Sequence, residues 1–156
     1  KNSKVLLLGA GGAARAIVTG FQKENAKEIT IVNRTKEKGD ELAEFSNKLG
    51  LDSSSRKIED ICELDSDFDF IVNASSLGLK NEKNIIPEKL LDEKTTVYDI
   101  VYKPIKTDLI NKAKEKNCKI IFGYEMLLGQ AIRSFEIWLD RKAPYETMKR
   151  SILGGF

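Results

Sequence analysis

The stretch from Val5 to Ile17, VLLLGAGGAARAI, decides how the rest of the chain is read. Lys4 to Leu8 is a short apolar run without alternation, the pattern of a strand buried on both faces of a parallel sheet. The glycines that follow, with the small-residue run after them, give a turn and then a helix that carries Ala14, Ile17, Val18 and Phe21 on one face. Gly9-x-Gly11-x-x-Ala14 is the G-x-G-x-x-A form of the dinucleotide fingerprint. Gly9 permits the tight strand-to-helix turn, Gly11 lets backbone approach a pyrophosphate, and Ala14 keeps the helix close to the strand. The unpaired N–H groups at the helix start would face the phosphates.

A second strand, Glu28 to Val32, should end the first βαβ unit. In an NAD-binding unit an acidic residue about 20 positions beyond the glycines accepts hydrogen bonds from the adenosine ribose. Here the strand runs into Asn33-Arg34-Thr35, with Lys36 and Lys38 close behind. A carboxylate would repel a 2′-phosphate, whereas Arg34 would pair with it and Thr35 would donate a hydrogen bond. Charge-assisted hydrogen bonds are worth roughly 1.5–3 kcal/mol each, so two would favour NADP over NAD by about two orders of magnitude or more. Cations at a helix start are mildly unfavourable on their own, which makes an anion between them the better explanation.

Strand and helix continue to alternate. Lys36 to Leu49 reads as a helix with Leu42, Ala43 and Phe45 inward and Gly50 at its end. The polar stretch LDSSSRKIEDICELDSD gives a short edge strand and a weak helix. FDFIVNASS is a strand ending at Asn73, and TTVYDIVYKP another, with Pro104 preventing a helix there. Thr107 to Lys116 is a helix and Lys119 to Phe122 a strand. GYEMLLGQAIRSFEIWL is an amphipathic helix presenting Met126, Leu127, Ile132, Phe135 and Trp138, and PYETMKRSIL a short last helix. The fold class is therefore α/β: a doubly wound, mainly parallel Rossmann-like sheet over residues 1–123 with a C-terminal helical extension over 124–156.

Composition narrows the chemistry. A chain of 156 residues is one domain's length and buries roughly 70% of its unfolded surface. Twenty-six Lys and Arg against 24 Asp and Glu, interspersed, give +2 and no one-sided basic face for nucleic acid or a membrane surface. The residues given read as having no signal peptide and no apolar run long enough to span a bilayer, and a cytoplasmic location is expected. Cys62 and Cys118 are read as free, buried thiols. With no histidine, the commonest zinc ligand and every histidine-based acid–base mechanism are excluded within this chain. Tyr102-x-x-x-Lys106 and Tyr145-x-x-x-Lys149 match a catalytic spacing that requires both side chains on one helix face. Pro104 interrupts the first pair, and the second sits in a terminal helix far from the glycine turn, so both are coincidences.

Read in order, GAGGAARAI, NRTKEK, FIVNASSLGL, YDIVYKPIKTDLI and MLLGQAIRSFEIWL resemble the C-terminal cofactor domain of the shikimate dehydrogenase family, over nearly the whole chain. The resemblance implies an NADP-dependent interconversion of 3-dehydroshikimate and shikimate, on the route to chorismate and the aromatic amino acids. It implies that Gly9, Ala10, Gly11, Gly12 and Ala13 form the diphosphate loop, and that Asn33, Arg34, Thr35 and Lys38 clamp the 2′-phosphate. Asn73, Ala74 and Ser75 would lie beside the nicotinamide ribose, Ile100 would line the nicotinamide, and Gly123 and Met126 would face the cofactor. Tyr102 and Gln130 would reach the substrate. Two segments depart from the family's usual form: Asn73 to Leu79 reads NASSLGL where NATSxGM is usual, and Gly123 to Leu127 reads GYEML where GLGML is usual. In the family the lysine and aspartate that work on the reacting hydroxyl belong to a separate N-terminal domain. This chain starts at Lys1, at the edge of a strand and without Met, and reads as a piece of something longer. Alone it is expected to grip NADP without turnover. A quinate or related polyol dehydrogenase, a bare NADP-binding module and the cofactor domain of a glutamyl-tRNA reductase are the alternatives; YDIVYKP and GQAIRSFEIW argue against the last.

Overall fold

A computed structural model describes residues 1–65 and 67–154. Ser66, within the polar stretch read as a weak helix, and residues 155–156, at the end of the expected helical extension, lie outside the described residues. The elements are β1 (Lys4–Leu8), α1 (Gly12–Lys23), β2 (Glu28–Asn33), α2 (Lys36–Lys48), β3 (Asp52–Lys57), β4 (Phe70–Asn73), β5 (Thr96–Asp99), α3 (Asp108–Glu115), β6 (Lys119–Phe122), α4 (Gly123–Leu139) and α5 (Tyr145–Gly154). Short 3-10 segments at Ile58–Glu63 and Glu88–Leu90 lie in the connections on either side of β4.

All six strands pair in parallel, in the order β3-β2-β1-β4-β5-β6. The order reverses at β1, whose Leu7 is opposite Ile31 of β2 and Val72 of β4. Because successive side chains on a strand point to opposite faces, β1 feeds two cores. Val5 and Leu7 pack with Ala14 and Val18 of α1 and Leu42 and Ala43 of α2. Leu6 and Leu8 pack with Ile61, Leu90 and Leu91 and with Leu109 and Ala113 of α3. This double burial is why the strand reads as an unbroken apolar run.

Three expectations are corrected. The strand read across TTVYDIVYKP ends at Asp99. The Ile100 N–H still reaches the Asn73 carbonyl at 3.1 Å, but the next amide, that of Val101, turns back to the Asp99 carboxylate at 3.1 Å instead of a neighbouring strand. Both cysteines are free, yet Cys62 is exposed and Cys118 only half-buried. In the 3-10 turn it is Ile61 that is buried, leaving its neighbour Cys62 outside. Trp138 is 79% exposed, and the inward face of α4 is carried by Gly123 and Leu128.

Candidate functional site: a cleft at the sheet's reversal point

The glycine turn is built from two different requirements. Gly9 has φ +100°, and its N–H donates to the Val32 carbonyl at 2.9 Å, joining the end of β1 to that of β2. A β-carbon there would lie 2.8 Å from the Ala74 carbonyl oxygen, so only glycine fits. Gly11, the N-cap of α1, and Gly12 face open space, where a β-carbon would meet nothing within 4 Å. Folding needs Gly9; Gly11 and Gly12 leave bare backbone and helix N–H groups turned to a cleft. Ala14 is fully buried, which holds α1 against the sheet.

That cleft has a volume of about 360 Å³ and is lined by Gly9, Ala10, Gly11, Asn33, Arg34, Thr35, Lys38, Ala74, Ser75, Ser76 and Leu77. An adjoining hollow of about 220 Å³ shares Ala10, Gly11 and Lys38 and adds Gly12, Arg15, Glu41 and Leu42. Nine residues predicted from sequence therefore meet at the first cavity and Gly12 at the second, while Ala13, in the first turn of α1, lines neither.

The β2 rim is positive. The Asn33 side-chain amide donates to the Thr35 carbonyl at 2.7 Å and fixes the bend into α2. Lys36 is tied up: its ammonium pairs with Asp40 and reaches the Ser55 hydroxyl at 2.8 Å. The Ser55 hydroxyl also donates to Asp40, and the two hydrogen bonds, that of Lys36 first and that of Ser55 second, hold the Asp40 carboxyl below its usual range. Arg34 and Lys38 are exposed and make no ion pair among the described residues. Thr35 is the α2 N-cap, but its side chain makes no capping hydrogen bond.

The opposite wall rests on a buried polar network that the sequence did not announce. Asn73, 2% exposed at the end of β4, accepts the Ser75 N–H at 3.1 Å and the Ser75 hydroxyl at 2.6 Å. Its amide donates to the Leu77 carbonyl and to the Asp99 carboxylate, both at 2.9 Å. Asp99 is fully buried and accepts in addition the Val101 N–H and, at 2.6 Å, the Thr107 hydroxyl. Thr107 in turn caps α3 by accepting the Ile110 N–H. Burial pushes the Asp99 pKa above its ordinary value, while the donors of Thr107, Val101 and Asn73 pull it back. Each of the three partners found among the described residues donates, the arrangement that suits a carboxylate acceptor.

Asn73, Ile100, Tyr102, Gly123, Met126 and Gln130 are not among the residues lining the cleft, Asn73 standing behind Ser75 and Leu77 through its hydrogen bonds. Ile100 is partly buried against the core. A β-carbon on Gly123 would lie 2.5 Å from the Ile100 and Val101 carbonyl oxygens, so the start of α4 butts against the chain leaving β5. Met126 and Gln130 are exposed along α4, and Tyr102 is 42% exposed. The Tyr124-Glu125 departure has a structural account: the Glu125 carboxylate accepts the Phe122 N–H at 2.9 Å as a capping residue of α4, and Tyr124 stacks on Phe122. Tyr145 and Lys149 line a separate hollow between α4 and α5. Among the described residues there is no cluster of metal-binding side chains and no helix long and apolar enough to cross a membrane.

A parallel sheet in this order, with a glycine turn at its reversal point opening onto a cleft, defines a dinucleotide-binding doubly wound α/β domain. Residues 1–101 match the family model described as shikimate / quinate 5-dehydrogenase, and residues 123–153 that of the shikimate 5′-dehydrogenase C-terminal domain. The chain belongs to the shikimate / quinate 5-dehydrogenase family. It is 60% identical, over all 156 residues, to a shikimate dehydrogenase (NADP(+)) of Nitrosopumilus maritimus, and covers 57% of that protein. It is 41% identical to another of that name from Maridesulfovibrio salexigens, matching over 93% of this chain and 53% of the relative. Among solved structures it resembles the Listeria monocytogenes shikimate 5-dehydrogenase in complex with shikimate and NAD. The TM-score is 0.88 at 31% identity, covering 97% of this chain and 56% of that one. A shikimate dehydrogenase in complex with NADP+ matches at TM-score 0.82 and 33% identity, over 99% of this chain and 55% of that one. The chain spans about half the length of the curated relatives it matches.

Proposed function

We propose that this chain is the NADP-binding part of an NADP-dependent shikimate dehydrogenase, which interconverts 3-dehydroshikimate and shikimate. The observation that carries the cofactor choice is the pair of cations, Arg34 and Lys38, without an ion pair among the described residues, on the β2 rim where an NAD-binding unit carries a carboxylate. Solved relatives include complexes with NAD and complexes with NADP, so it is this rim, together with relatives named for NADP, that supports the preference.

In this reading Gly9, Ala10, Gly11, Gly12 and Ala13 present backbone to the diphosphate, and Asn33, Arg34, Thr35 and Lys38 hold the 2′-phosphate. Asn73, Ala74 and Ser75 support the nicotinamide ribose, with Ile100, Gly123 and Met126 along the nicotinamide side. When bound, the nicotinamide supplies the hydride chemistry. Tyr102 and Gln130 contribute one wall for the substrate. Residues 1–123 would then be the Rossmann-like unit and 124–156 its helical extension. Among the described residues the cleft of about 360 Å³ is lined by no carboxylate, Glu41 lying in the adjoining hollow, and the sequence has no histidine. The groups that take the substrate's proton therefore belong, in this proposal, to a second, N-terminal domain, and a cytoplasmic location goes with the same reading. Calorimetric titration with NADP should show one site per chain, and shikimate plus NADP should give no absorbance rise near roughly 340 nm with this chain alone. Absence of binding, or steady turnover, would overturn the assignment.

A further inference from the structure

Asp99 is a fully buried carboxylate with no cation beside it among the hydrogen-bonding and ion-pairing partners found in the described residues. Burying a charge is unfavourable unless donors surround it, and an apolar side chain at the end of a central strand would avoid the problem. What the carboxylate does instead is join three separate pieces of chain. One oxygen takes the Asn73 amide and the Val101 N–H; the other takes the Thr107 hydroxyl. Through Asn73 it holds Ser75 and the Leu77 carbonyl, and so the β4 wall of the cleft. Through Val101 it sets where the chain leaves β5, the same backbone on which Gly123 and the start of α4 rest. Through Thr107 it anchors both to the N-terminus of α3.

We propose that Asp99 is a positioning residue for the nicotinamide half of the cofactor site, acting through Asn73 and Val101 without touching the cofactor. The inference rests on the NADP-binding reading above. A dinucleotide lies across the reversal point, with its adenosine on the β2 side and its other half toward β4. Asp99 organises only the β4 side; none of its contacts reaches Arg34, Thr35 or Lys38 on the β2 rim. Its removal should therefore split the two halves of the ligand.

The test is calorimetric titration of the full chain with NADP and, separately, with adenosine 2′,5′-bisphosphate, which carries only the adenosine end. Asp99→Asn keeps the shape but sets an amide donor among donors. It should weaken NADP about tenfold, while affinity for the bisphosphate stays within about twofold. Thr107→Val removes one donor and should weaken NADP in the same selective way, and Thr107→Ser, which restores the hydroxyl, should recover it. Should Asp99→Asn fail to fold, the Thr107 pair decides. Equal losses for both ligands would make the network merely structural, and unchanged NADP affinity would show it idle; either overturns the proposal. A wild-type chain that binds neither ligand would instead defeat the NADP reading itself.

Discussion

The α-carbon of Gly9 sits so close to Ala74 that a β-carbon on it would lie 2.8 Å from the Ala74 carbonyl oxygen and 2.9 Å from its carbon. This contact locks the end of β1 to the end of β4, the two strands between which the cleft opens. Gly11, two residues on, has no such neighbour. The two glycines of one motif thus answer to different demands, and substitutions separate them.

Gly9→Ala must accept both a positive φ and a backbone clash, and should lose roughly 2 kcal/mol or more of stability. Gly11→Ala should change stability by less than about 1 kcal/mol while weakening NADP binding, since only an approaching ligand meets its new methyl group. Denaturant unfolding and calorimetry on the two variants check this. An equally unstable Gly11→Ala would contradict the division.

Glu125 is a capping residue of α4. Glu125→Ala leaves the Phe122 N–H without its carboxylate at 2.9 Å and should cost about 1 kcal/mol, the usual worth of a helix N-terminal cap. NADP affinity should not move. Thermal unfolding and calorimetry report the two effects separately.

Glu82 supplies a pH handle near the cleft wall. Its carboxylate accepts the Lys80 N–H at 2.9 Å and the Gly78 N–H at 3.0 Å, and these hold its pKa below the usual 4.5. A depressed native pKa means that the stabilisation is complete above the unfolded value and is lost as pH falls through the native one. Glu82→Gln should therefore be less stable than the wild type at neutral pH, with the gap closing below pH 4.5. Unfolding midpoints measured down a pH series check it; a gap that persists in acid would contradict the assignment.

These cases also mark what the sequence could show. The glycine turn, the doubly buried strand β1 and the carboxylate-free end of β2 are local patterns, each set by residues within a few positions of one another. They were legible, and the cleft gathers most of the residues they named. The Asn73–Asp99–Thr107 network was not, because its partners are 26 and 8 residues apart and only the sheet brings them together. The end of β5 is equally hidden from local patterns: a carboxylate, not a breaker residue, turns the Val101 amide out of the ladder. The sequence shows Glu125 only as a departure from GLGML; its capping role follows from α4 starting at Gly123.

The central claim is that the Asn33-Arg34-Thr35 rim selects the adenosine 2′-phosphate, and one titration series addresses it directly. Calorimetry on the wild type should give NADP binding tighter than NAD by about two orders of magnitude, and Arg34→Ala should erase most of that difference by weakening NADP alone. Equal affinities for NADP and NAD in the wild type, or a preference that survives Arg34→Ala, would contradict it.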